Sequence, residues 1–145
     1  PDRAPKLQEA WAEVIAAVRN TMPKDGRLII GGKSMGGRIA SLVADDQAAD
    51  GLVCLGYPFH PLGKPEKTRT EHLAGLKAPT LIVQGTRDTM GNQDAVSGYT
   101  LSKKIRLHWL EDGDHSFKPR KKSGRTEEQN WSEGITEVAG FLNKI

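Results

Sequence analysis

The chain has 145 residues, enough for one domain with a buried core. With 37% hydrophobic and 27% charged residues it reads as globular, and no apolar run approaches the roughly 20 residues a membrane helix needs. The net charge of +3 is small, and much of the excess lies in residues 118–125. That run lacks interleaved aromatics and reads as a solvated loop before a helix, so neither nucleic acid nor a membrane is expected as a partner. Cys54 stands alone, which excludes a disulfide framework and makes a reducing cytoplasm the expected compartment. Pro1-Asp2-Arg3 carries neither an apolar signal segment nor an initiator Met, so the start of the chain is expected to be an internal cut.

Leu7, Trp11, Val14 and Val18 recur at helical spacing, which predicts an amphipathic helix over 5–20. Pro23-Lys24-Asp25-Gly26 is turn chemistry, and 27–31 is the first expected strand. Gly32-Lys33-Ser34-Met35-Gly36 follows, then a helix with Ile39, Leu42 and Val43 as its apolar stripe, ending near 45–46. Residues 51–57 form the second strand, apolar on both faces as a central parallel strand should be. A Pro-rich loop at 58–65 holds His60. A short helix is expected over 70–76 with Thr70 as its cap. The third strand spans 79–85, a weak helix lies within 92–101, and the fourth strand spans 105–110. Trp131, Ile135, Val138 and Leu142 trace a last helix capped by Thr126. Strands alternating with helices predict an α/β fold, a mostly parallel sheet with helices on both faces, in one domain over 1–145.

Gly-x-Ser-x-Gly between a strand and a helix is the pattern of a nucleophile elbow, a strained turn that lifts a serine hydroxyl above the sheet. Gly32 and Gly36 are expected to be glycines because a side chain at either would collide with the strand or helix closing around Ser34. Gly32-Lys33-Ser34 also resembles the end of a phosphate-binding loop. That motif needs a glycine at position 27, where the chain has Arg27, and the intervening Leu-Ile-Ile is strand material.

Parallel α/β sheets present their ligand sites beyond the carboxyl ends of the strands. The first, third and fourth strands end at Ser34, Asp88 and His115, in the order expected when such an elbow carries the nucleophile. Serine hydroxyl is a poor nucleophile at neutral pH, so His115 is expected to take its proton and Asp88 to orient His115. The N–H of Met35 is expected to donate to the developing oxyanion. Asp112 and Asp114 compete with Asp88 for His115, but a carboxylate so near in sequence points poorly at the ring. Lys33 and His60 are candidates for lining the pocket, with packing against its prolines the other reading for His60. His108 alternates within a strand and reads as structural, and His72 reads as a solvated helix residue. No His or carboxylate pair shows metal spacing, so neither a metal nor a cofactor is expected.

Gly32-Lys-Ser-Met-Gly-Gly-Arg38, Gly56-Tyr-Pro-Phe-His-Pro61 with Gly63-Lys-Pro-Glu66, Gln84-Gly-Thr-Arg-Asp88 and Gly113-Asp-His-Ser-Phe117 together resemble the α/β-hydrolase superfamily. The nearest branch is the small dienelactone-hydrolase-like group, which shares its domain with a scaffold subunit of a histone-acetyltransferase complex. The resemblance runs from the first helix to the last and implies Ser34 as nucleophile, Asp88 as acid and His115 as base. It implies hydrolysis of a small-molecule carboxylic ester or a related acyl bond, with a non-catalytic interaction module on the same scaffold as the alternative. The family fold begins with further strands, and the loop after one of them supplies a second oxyanion N–H. Nothing before the first helix matches that strand. The N-terminal strands are therefore expected to be absent, activity to be weak, and the open sheet edge to be covered by a second copy of the chain or by a missing segment.

Overall fold

A computed structural model describes residues 3–145. Helix α1 (Ala4–Arg19) is followed by β1 (Ile29–Lys33), α2 (Met35–Val43) and β2 (Gly51–Leu55). A single 3-10 turn (His72–Gly75) precedes β3 (Thr80–Gly85), α3 (Gln93–Ser97) and β4 (Ile105–Leu110). A second such turn (Lys121–Ser123) leads into α4 (Glu127–Leu142). The four strands form one sheet in the order β1-β2-β3-β4, and every pairing is parallel. All four carboxyl ends therefore open on one rim.

The side-chain alternation of the strands divides the core in two. Ile30, Leu52, Cys54 and Ile82 point to the face covered by α2, where Ala40, Val43 and Ala44 meet them, and α1 packs over α2 through Ile15. Leu81, Val83 and Leu110 point to the opposite face and meet Phe117 and Phe141, the latter from α4. All six residues of β3 are buried, so this strand is apolar on both sides where solvent reaches neither. Each fully buried Leu or Ile here contributes about 1.5–3 kcal/mol of apolar transfer.

Local signals set the element ends. Pro5 lies in the first turn of α1, where its missing N–H costs nothing. Thr126 caps α4 through a capping box closed by Gln129, as its sequence position predicts. Four expectations about element ends and burial need correction. The first strand runs from Ile29 to Lys33 instead of 27–31, because Leu28 leaves the ladder and exchanges hydrogen bonds with Asp50. β2 stops at Leu55 because Gly56 turns into the left-handed region at φ +68°. Thr70 does not cap a helix; its carbonyl accepts from Leu73 N, and the turn begins after Glu71. His72 is not solvated but half-buried, with Nε2 2.8 Å from Ser41 Oγ on α2.

Among the described residues β1 has a strand partner on one side only. Beside it lies an apolar trough of about 630 Å³ lined by Val18, Leu28, Ile29, Val53, Leu55 and Leu142. A second apolar groove of about 300 Å³ runs between α4 and the sheet, past Trp131, Ile135, Val138, Leu55 and Val83. Among the described residues no helix is long and apolar enough to cross a membrane.

Candidate active site

Only Ser34 separates β1 from α2. It holds φ 51° and ψ −121°, a strained conformation for a residue with a side chain, costing about 1–3 kcal/mol. Its N–H donates to Leu55 O at 2.8 Å, which pins the turn to the neighbouring strand. The tight closure is visible at the glycines. A Cβ on Gly32 would lie 2.8 Å from Gly36 C, and one on Gly37 would lie 2.6 Å from Gly32 O and 3.2 Å from Cys54 Cβ. The expected collision at Gly36 is not found: a Cβ there meets nothing within 4 Å. The position that must stay bare beyond Gly32 is Gly37, because α2 turns that residue toward β1 and β2.

His115 lies in the loop after β4, and its Nε2 is 2.9 Å from Ser34 Oγ. Its ring packs against bare backbone at Gly56, where a Cβ would come within 2.9 Å of His115 O and 3.5 Å of its Cε1. His115 Nδ1 lies 2.7 Å from Asp88 Oδ2. Asp88 is fully buried, and its carboxylate is satisfied twice more: Oδ1 accepts from Met90 N at 2.8 Å and Oδ2 from Gln84 Nε2 at 3.1 Å. A buried carboxylate needs such donors to remain charged.

Asp112 and Asp114 are engaged elsewhere. Asp112 forms an ion pair with Arg120 at 2.6 Å and another with Arg87, and the Arg120 hydrogen bonds hold its carboxyl well below the usual range. Asp114 Oδ1 accepts from Ser116 N and Lys118 N, which shapes the loop that presents His115. Lys33 stands on the rim with Nζ 3.5 Å from Ser116 Oγ. His60 points inward, 6% exposed, with Nδ1 2.8 Å from Pro61 O. Met35 heads α2 with its side chain largely exposed, and its N–H has no partner among the described residues. His108 bonds Glu133 at 2.6 Å on the outer face, a structural pairing.

Gln84 is the residue sequence reasoning missed. It is fully buried at the end of β3; Oε1 accepts from Tyr57 N at 2.8 Å. Its Nε2 lies 3.1 Å from Tyr57 O, Asp88 Oδ2 and Gly91 O. One amide therefore ties the β2 loop to the loop carrying Asp88. The available signal was a polar side chain closing an otherwise apolar central strand.

Comparison with known proteins agrees with this architecture. The profile of the α/β hydrolase domain family matches residues 1–143. An α/β serine hydrolase homologue from Coxiella burnetii is similar at 21% identity and TM-score 0.65, over 79% of this chain and 53% of that one. A serine hydrolase without a lid from Xanthomonas campestris is similar at 22% identity and TM-score 0.64, over 81% of this chain and 51% of that one. The esterase domain of a Rhodothermus marinus protein is similar at 12% identity and TM-score 0.57, over 74% of this chain and 60% of that one. The chain spans about half the length of the first two. A strand-to-helix serine turn on a parallel sheet, and a family profile matching nearly its whole length, lead to one conclusion: this chain belongs to the α/β hydrolase domain family.

Proposed function

We propose that the chain is a serine hydrolase of small-molecule carboxylic esters or a related acyl bond, with Ser34 as nucleophile, His115 as general base and Asp88 as its orienting acid. The observation that carries this reading is the unbroken chain of contacts from Ser34 Oγ through the His115 ring to buried Asp88, at 2.9 and 2.7 Å. His115 Nε2 takes the Ser34 proton as Oγ bonds to the acyl carbon. The Asp88 carboxylate holds the proton on Nδ1 and stabilises the imidazolium. The negative charge developing on the carbonyl oxygen is met by the unpartnered Met35 N–H at the start of α2. Collapse breaks the bond to the alkoxide, which takes the proton from His115. Water, activated by the same base, then releases the acid from Ser34.

Loss of one oxyanion donor typically costs about a hundredfold or more in rate, which is the weight the Met35 N–H carries in this reading. Replacing Ser34 with Ala should remove both hydrolysis of a short-chain nitrophenyl ester and labelling by a fluorophosphonate. Labelling that persists in the variant would falsify the assignment, and an inert wild-type Ser34 would favour the interaction-module reading.

The open side of β1 supports a further proposal, that a second copy of the chain covers this edge. Its trough is apolar, and the exposed Val18 and Leu142 border it. Light scattering should return twice the chain mass at micromolar concentration; a monomer there would overturn the proposal. Neither nucleic acid nor a membrane is proposed as a partner. The free Cys54 thiol is buried, and burial pushes it up to about 12, which keeps it a protonated, unreactive thiol.

A further inference from the structure

Arg38 and Arg69 stand out among the arginines of the described residues. Arg27, Arg87, Arg106, Arg120 and Arg125 each pair with a carboxylate, and Arg19 donates to the carbonyls of Gln47 and Ala48. Arg38 and Arg69 are both half-buried, and neither guanidinium forms an ion pair or a side-chain hydrogen bond. Arg38 Nε is buried with no partner.

Their position matters. Arg38 lies one turn into α2 and its N–H bonds the carbonyl of Ser34 at 3.1 Å. Arg69 is held by its backbone, its N–H donating to Phe59 O at 2.7 Å and its carbonyl accepting from Tyr57 Oη at 2.9 Å. His72 Nε2 links the two residues' backbones: it lies 2.8 Å from Ser41 Oγ, which donates to Arg38 O, and 3.5 Å from Tyr57 Oη, which donates to Arg69 O. Burial first, and then the Arg38 charge, lower the pKa of both Arg69 and His72. The two guanidinium groups thus sense each other with no neutralising acid between them; Glu71, the acidic neighbour of His72, is exposed. Two planar forks with unused donors, beside a tyrosine and a neutral imidazole, match the oxygens of a carboxylate or phosphate.

We propose that Arg38 and Arg69 form a subsite for an anionic group carried by the substrate, one helical turn from Ser34. This inference rests on the hydrolase reading and narrows it to acyl substrates that carry a negative charge. An anion there would neutralise the repulsion between the two guanidinium groups.

The test separates binding from turnover. Calorimetric titration of the Ser34→Ala chain with monomethyl glutarate, dimethyl glutarate and inorganic phosphate should give at least tenfold tighter binding of the monoanion than of the neutral diester. Arg69→Gln and Arg38→Met should each remove that preference and leave the diester unchanged. Arg69 has no side-chain bond to lose, so Arg69→Gln is expected to fold as the parent does, and thermal melting checks it. Equal binding of the two esters, no binding of either, or a preference surviving both variants would overturn the proposal. Arginine-dependent binding of phosphate alone would overturn it too, in favour of a free inorganic anion. Fluorophosphonate labelling of the wild-type chain reads Ser34 separately, so failure of the subsite and failure of the nucleophile assignment remain distinguishable.

Discussion

Around Asp88 and Gln84 the chain bonds its own polar groups many times over, whereas along β1 it leaves one backbone edge and an apolar trough open. β3 is buried along its whole length; β1 is buried at Ile30 alone. The difference follows from place in the sheet. A central parallel strand has a partner on each side and a layer on each face, so its end can hold a charged carboxylate in a dry, fully hydrogen-bonded loop. An edge strand has none of that on its outer side, and its stability depends on whatever covers it. Yet both strands end on the rim where Ser34 and Asp88 lie, so the proposed chemistry joins a rigid half to an open one.

The comparison can be broken most sharply at Asp88. Asp88→Asn should lower kcat/KM on a nitrophenyl ester by about a thousandfold or more, because the amide favours the wrong imidazole tautomer. Circular dichroism should remain that of the parent. A loss smaller than tenfold would remove Asp88 from its proposed role. Gln84→Leu probes the same half without touching the imidazole. It leaves Tyr57 N, Tyr57 O and Gly91 O without their amide partner and should destabilise the chain by about 3 kcal/mol in urea unfolding. A neutral result would mean that water replaces the amide and that the rim is less dry than its burial implies.

Gly37→Ala and Gly36→Ala form a matched pair next in size. The first should cost about 2 kcal/mol or more from overpacking against Gly32 O and Cys54, while the second should lie within about 1 kcal/mol of the parent. Equal costs would show that the elbow relaxes instead of resisting. The smallest effect is expected on the open side. Leu142 borders both apolar grooves and is 41% exposed, so Leu142→Lys should change the stability of the isolated chain by no more than about 0.5 kcal/mol. Its measurable consequence should be in light scattering, as a shift from two copies toward one.

Much of the fold is legible in the sequence. The apolar runs at β2 and β3, the helical spacing of Trp131, Ile135, Val138 and Leu142, and the Thr126 cap are local patterns that tertiary packing left intact. The ends of elements were less legible. β1 begins two residues later than the strand expected from position 27 because Asp50, distant in sequence, takes both backbone groups of Leu28. The weak helix expected within 92–101 is there as Gln93–Ser97, but its end at Gly98 is set by packing, since Tyr99 beyond it meets the Phe59 ring.

The same division runs through the candidate site. Strand-to-helix order and the Gly-x-Ser-x-Gly spacing make Ser34, Asp88 and His115 candidates in the sequence, because parallel topology sends the ends of successive strands to one rim. Tertiary structure alone decided which glycine the elbow cannot spare, which aspartate faces His115, that Gln84 braces the Asp88 loop, and that Arg38 and Arg69 lack an acidic partner. Each of these depends on a distance between segments far apart along the chain. Local pattern records the period and polarity of a segment; it does not record what the folded chain lays against it.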